Sequence, residues 1–526
     1  MQEGASIVKR ILAILLVLCL MAGLAGCGGS GDAYVPTGDG LTWDEDYTGP
    51  TYAPPGSAEE QKLTLTWYPD RSMNPYICTD FTNQALFSLV YQGLFATDRN
   101  YNVEPVLCKS FRMSKDMKTY TFYPETNATF SDGSRLTAQD VLDSLLAAKN
   151  SVSYSGRFFH VDNILLSQDG GVTVIMDTAY ENLPILLDVP ILKSTQLQED
   201  IPVGTGPYRM EGSGASAVLR RRTDWWCKAV MTVTAPVISL LVAESATQIR
   251  DTFEFEDLDL VYADPGSDRY ADYRCDYEVW DSENGIFLFL ACNMNIGVFT
   301  DPAIRAALPK AVDRDTLAAT HYRGFARTAT LPASPQSPYY NQTLASRYAY
   351  DGGAALKQAY ADAQLPPETV VKLLVNVDDS LRTRVARDIA DQLRECGMTV
   401  EIVALDSENY RYYLRMGWFD LYLGQTKLSP NMDLTPFFHR NGATSWGGVD
   451  SVSLYTLCLD SLANHGNFYT LHQNVMDDGR LCPILFRSYA VYATRGLLTS
   501  LTPSRDNVFY YSLGRTMEKA QLKDEA

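Results

Sequence analysis

Between Leu381 and Val403 the chain changes period within a few residues, and this restricts the fold more than any other feature. Leu381, Val385, Ile389, Leu393 and Cys396 recur at near-helical spacing, and Gly397 stands where a left-handed residue would end the helix. Thr399-Val400-Glu401-Ile402-Val403 then alternates as a strand does. A helix feeding straight into a strand implies an α/β body if the switch recurs, and it does. Leu63-Thr64-Leu65-Thr66-Trp67-Tyr68 alternates and breaks at Pro69 and Asn74-Pro75, and a helix with Leu86, Leu89 and Val90 on one face is expected next. Tyr120–Tyr123 is a further strand, and Ser131-Asp132-Gly133 a turn. Thr137 caps a helix that buries Val141, Leu142, Leu145 and Leu146. Asp301-Pro302 opens a helix with Ile304, Ala307, Leu308, Ala311 and Val312 inward, which Pro309 should interrupt. No internal repeat is visible.

A chain of 526 residues is too long for one compact module, and 46% hydrophobic against 20% charged residues is enough for two or three lobes with cores of their own. The net charge of −19 repels phosphate backbones, which argues against nucleic acid as a partner. Of ten cysteines, Cys19 and Cys27 lie near the N-terminus, and the other eight contain no C-x-x-C pair. That spacing suits neither a metal site nor a disulfide-dense scaffold, although one or two bridges stay open.

Lys9-Arg10 precedes the apolar run Ile11–Met21, which is too short to span a bilayer comfortably and ends in Leu24-Ala25-Gly26-Cys27. That tetrapeptide resembles the bacterial lipobox, in which the cysteine is lipidated and becomes the new N-terminus. Residues 1–26 then read as a signal peptide and Cys27 as an anchor. Each buried methylene contributes about 0.8 kcal/mol, so a multiply acylated cysteine holds its protein on a membrane. Residues 27–60 are rich in Gly, Pro, Ser and acid, and have the composition of a flexible tether reaching roughly 30 Å.

Reaction chemistry finds no support. Gly204-Thr205-Gly206-Pro207 lacks the third glycine and the Lys-Ser or Lys-Thr of a phosphate loop and reads as a crossover turn. His160, His321, His439, His465 and His472 form no H-E-x-x-H or H-x-H arrangement. No G-x-S-x-G elbow appears. Neither a metal nor another cofactor is expected, and no enzyme activity.

A set of motifs in order does carry a resemblance. They are Val90-Tyr91-Gln92-Gly93-Leu94-Phe95, Glu104-Pro105-Val106-Leu107, Ser114–Phe122, Phe130-Ser131-Asp132-Gly133-Ser134-Arg135-Leu136-Thr137-Ala138-Gln139-Asp140-Val141 and Val203–Tyr208. They continue with Thr223-Asp224-Trp225-Trp226, Asp301–Ala307 with Ala311–Arg314, and Gly417-Trp418-Phe419-Asp420-Leu421. Over most of residues 62–515 the chain resembles the family 5 extracellular solute-binding proteins, which include the oligopeptide, dipeptide and nickel receptors of ABC importers.

The resemblance implies a two-lobed, periplasmic-binding-protein-like α/β fold with crossing hinge strands, and an additional α/β domain in the N-terminal half. Residues 61–90, 204–285 and 480–526 would form lobe I, 91–203 the appended domain and 286–479 the opposite lobe. It also implies binding without chemistry: a monomer, anchored through lipid on the outer face of the bacterial cytoplasmic membrane, takes a peptide or other small solute to an ABC permease. The competing readings are a sensory lipoprotein and a secreted hydrolase. By position in the family pattern, the ligand-binding candidates are Trp67, Tyr68 and Asp70, then Tyr91, Asn293 and Gln425-Thr426-Lys427. Peptide-binding relatives carry an aspartate near Lys427 that pairs with the peptide amine. A cation there favours an anion instead, unless Asp433 or Asp70 substitutes for the missing acid.

Overall fold

The structure, a computed structural model, describes residues 62–513 except 228, 243–244, 256, 268–271 and 499. The signal, the tether and Cys27 lie outside the described residues. Three larger sheets organise the rest. The first has the order Lys62–Trp67, Val237–Val242, Val218–Arg221, Tyr208–Glu211, with the first pair parallel and the others antiparallel. The second is antiparallel, in the order Cys108–Met113, Thr119–Pro124, Val172–Met176, Val161–Leu166, and the helix Ala138–Lys149 packs on it. The third runs Leu260–Ala263, Leu481–Thr494, Tyr277–Cys292, Leu421–Lys427, Val370–Asn376, Thr399–Leu405, with Ala326–Thr328 added to the second of these strands.

Two long strands tie the body together. Tyr277–Cys292 has 16 residues, which at ~3.3 Å per residue is about 50 Å of continuous strand. It pairs antiparallel with Leu481–Thr494 over most of that length. The apolar run at Ile286–Cys292 is explained by burial on both faces. Phe287, Phe289 and Ala291 join the core that holds Phe95, Phe122 and Val174, while Leu288, Leu290 and Cys292 join the core of Leu373, Ile389 and Leu421. The partner strand changes cores along its length. Its Cys482, Ile484 and Leu485 belong with Leu373, and its Tyr489, Val491 and Ala493 with Leu63, Leu65 and Ile238 of the first sheet.

Local signals explain the helices. Ser380–Glu395 starts at Asp379, whose side chain accepts from the Arg382 N–H, buries Leu381, Val385, Ile389 and Leu393, and ends before Gly397 at φ +94°. Thr137 and Asp140 form a reciprocal capping box. Pro302–Ala307 gives way to a 3₁₀ turn at Leu308–Ala311, because Pro309 has no N–H to donate. The stretch after the first strand differs from expectation. Two short helices, Phe81–Ala85 and Phe87–Val90, replace one, because the Leu86 N–H turns to the Asn83 carbonyl three residues back at 3.1 Å. Gly204-Thr205-Gly206 is a crossover into the first sheet: a Cβ on Gly204 would lie 1.9 Å from the Val90 carbonyl oxygen, so only glycine permits the approach.

Candidate functional site

The long strands pair with two register shifts, one of them between Leu288 and Phe289, and they change partners at the other. Their register shifts between Glu283 and Phe287, and Gly285 there has φ +74°. Before the shift the neighbour of Leu481–Thr494 is Leu260–Ala263; after it, Leu421–Lys427 flanks Tyr277–Cys292 on the other side. A cavity of about 540 Å³ opens beside this point. Asn284 and Ile286 reach it from one long strand and Tyr489 from the other, with Tyr262 next to Tyr489 at 5.0 Å between ring centroids. Further walls come from residues 79–87, 152–157, 425–429 and 505–508. The size suits a small organic solute.

Charge is concentrated on one side. Asp506 accepts from Arg157 Nη2 at 2.7 Å and from Lys427 Nζ at 2.5 Å, and Arg505 Nε lies 3.5 Å away. Burial by itself would raise the Asp506 carboxyl, but Lys427, Arg157 and Arg505 outweigh it and hold that group far below the usual carboxylate range. Behind this wall Asp188 accepts from the Thr97 N–H and Asn507 Nδ2, both at 3.1 Å, and burial pushes its carboxyl up to about 6 against the pull of Arg157. Arg157 also lies 5.5 Å from the Tyr154 ring centre, and Tyr154 meets Tyr76 edge-on.

Of the residues named from sequence, Gln425, Thr426 and Lys427 line this cavity. Gln425 Oε1 also accepts from Arg487 Nη1 at 3.3 Å. The other candidates lie elsewhere. Trp67 and Tyr91 are buried in the core of the first sheet, where the Tyr91 hydroxyl donates to the Pro202 carbonyl at 3.2 Å. Tyr68 follows the first strand, its N–H bonded to Asn83 Oδ1 at 2.9 Å, and Asp70 is exposed beside Arg71. Asn293 closes a turn by donating to the carbonyls of Gly417 and Phe419 at 3.0 and 2.8 Å. Asp433 is buried against the Thr435 N–H at 2.8 Å, with His160 Nε2 at 3.5 Å. Cys27 lies outside the described residues.

Arg157, Arg505, Asp506 and Tyr489 escaped sequence reasoning. Arg505 and Asp506 sit in an irregular stretch after Pro503 with no period to mark them, and Arg157 lies some 270 residues before Lys427. Among the described residues, no cluster of three or more His, Cys, Asp or Glu could hold a metal ion, and no helix is long and apolar enough to cross a membrane.

Comparison with known proteins bears on the family and the fold. The glutathione-binding protein GsiB of Pectobacterium atrosepticum is 24% identical over 359 residues, which is 64% of this chain and 67% of that protein. NikA from Brucella suis, solved with Fe(III)-EDTA, superposes with a TM-score of 0.67 at 19% identity, covering 85% of this chain and 98% of that one. CtaP from Listeria monocytogenes, an ABC transporter substrate-binding protein, gives 0.70 at 17% identity over 86% and 98%. These likenesses give the fold, the two-lobed periplasmic-binding-protein-like architecture that the motifs implied. The profile described as "Bacterial extracellular solute-binding proteins, family 5 Middle" matches residues 102–447, and the chain therefore belongs to that family of extracellular solute-binding proteins.

Proposed function

We propose that this protein is the substrate-binding receptor of an ABC importer, taking up a small solute outside the cytoplasm and passing it unchanged to a membrane permease. The observation that carries the reading is the cavity of about 540 Å³ beside the irregularity in the two long strands, where parts of the chain more than 400 residues apart meet. Enclosure there suits capture by hinge closure. Residues 61–90, 204–285 and 480–526 act as one lobe, 286–479 as the other, and 91–203 as an appended domain. The receptor works as a monomer and carries out no reaction on its cargo. It is tethered through a lipid on Cys27 to the outer face of the cytoplasmic membrane.

Native mass spectrometry of the purified protein, followed by identification of what denaturation releases, tests the reading. A single copy of the chain holding an intact small solute is expected, and screening of culture extracts should find a solute that raises the melting temperature. Absence of any bound or stabilising solute, or release of a cleaved product, would defeat it. Replacing Cys27 by Ser should move the protein from the membrane fraction to the soluble one; unchanged partition would remove the anchor from the proposal.

A further inference from the structure

Four ionisable groups of charged type line the cavity, Arg157, Lys427, Arg505 and Asp506, and burial lowers the Lys427 pKa against the pull of Asp506. The single carboxylate is already shared by Arg157 and Lys427. Asp70 and Asp433, the acids the sequence offered as substitutes, lie outside the lining, as does Asp188, so no acid in the lining is left over for an incoming amine. The positive side is under-used. Arg505 is 6% exposed, its Nη2 donates to the Leu428 carbonyl, and its Nε and Nη1 make no hydrogen bond. A guanidinium buried to that extent with donors unfilled costs free energy unless something completes the set. Lys427, with 47% of its side chain accessible, keeps room for a further oxygen.

The remaining wall is mixed, with Gln84, Asn284 and Thr426 polar and Phe81, Val152 and Val508 apolar. Phe81 and Val152 line the same cavity and are 51% and 88% exposed, so both keep apolar surface free for a solute there. From this pairing of a cationic side with an apolar one, we infer that the cargo is a small organic acid with an apolar body, its carboxylate seated by Lys427 and Arg505 and its body against Phe81 and Val152. A carboxylate matches the fork of an arginine and the point charge of a lysine, and a bare amine would meet three cations that share one carboxylate.

The inference rests on the receptor reading above, and the test separates the two. Purified full-length chain is melted with pools of N-acetyl amino acids and N-acetyl dipeptides as free acids, with the same pools as primary amides, and with unacetylated dipeptide amides that carry only an amine. The acid pools are expected to raise the melting temperature by about 3 °C, with little shift from the other two. Titration of the best acid should show about tenfold weaker binding by Lys427→Gln, a variant whose unliganded melting reports that it is folded. Equal or larger shifts from the amide or amine pools, or an unchanged affinity in Lys427→Gln, would overturn the carboxylate inference and leave the receptor standing. Failure of every pool and of culture extract to shift the melting would overturn both.

Discussion

Gly285 and Arg505 meet across the irregularity of the long strands: a Cβ built on the glycine would lie 2.4 Å from the arginine Cζ. The glycine's φ of +74° is also one that other residues enter at a cost of about 1–2 kcal/mol. Gly285→Ala should therefore lower stability by that amount in urea titrations. It should also push the guanidinium away from Leu428, so that cargo binding weakens by more than the stability change alone would cause.

Glu283, two residues earlier, is 1% exposed and accepts from the Tyr101 and Ser334 hydroxyls, joining three distant parts of the chain. Burial raises its carboxyl, against the opposing effect of those hydrogen bonds and of Arg505 and Arg327. A raised acid adds stability that is full below its unfolded value near ~4.3 and lost as pH rises through the folded value. Glu283→Gln should accordingly gain on the native protein as pH goes from 4 to 7. Glu283→Ala should lose about 2 kcal/mol at pH 4, because it strands two buried hydroxyls, and the deficit should shrink as pH rises. Urea midpoints across that range check both.

For Asp506 the sign is reversed. A carboxyl held below its ordinary value stabilises above an unfolded value of about 3.9, and that contribution fades as pH falls through the folded one. Asp506→Ala leaves Arg157, Lys427 and Arg505 together without their acid and should cost about 3–5 kcal/mol at pH 7. Moderate salt should restore part of the loss, since it screens the cations from one another.

His472, buried in the helix Phe468–Asp478, has no hydrogen-bond partner on either ring nitrogen, and burial pushes its pKa down to about 3. The unfolded chain takes up a proton near pH 6.5 that the folded one refuses, so stability drops by about 1.4 kcal/mol per pH unit below that point. His472→Leu should remove this slope and leave the variant more stable by about 2 kcal/mol at pH 5, read as a shift in the denaturation midpoint.

Periodicity and caps marked the helices and strands named from sequence, although Leu146, expected on the buried face of its helix, is 38% exposed. Asp379, Thr137 and Asp301 act on backbone N–H groups two or three residues away, a range a linear reading can see. The same reading joined Phe81–Ala85 and Phe87–Val90 into one helix, because a single backward hydrogen bond at Leu86 leaves no trace in composition. At the cavity, Gln425–Lys427 followed from their position in the family pattern and lie within the strand Leu421–Lys427, whereas Arg157 and Arg505 had no such pattern to announce them.

From sequence alone came the α/β alternation, the family and the positions of a few helices and strands, because these depend on nearby residues repeating with the period of the backbone. Tertiary structure alone decided which charges face the solute. Asp506 shares its two oxygens between Arg157 and Lys427, 349 residues before it and 79 before it, and only folding sets that ratio of three cations to one acid inside a single cavity. Coulomb forces act through space and not along the chain, so the character of the site belongs to the fold.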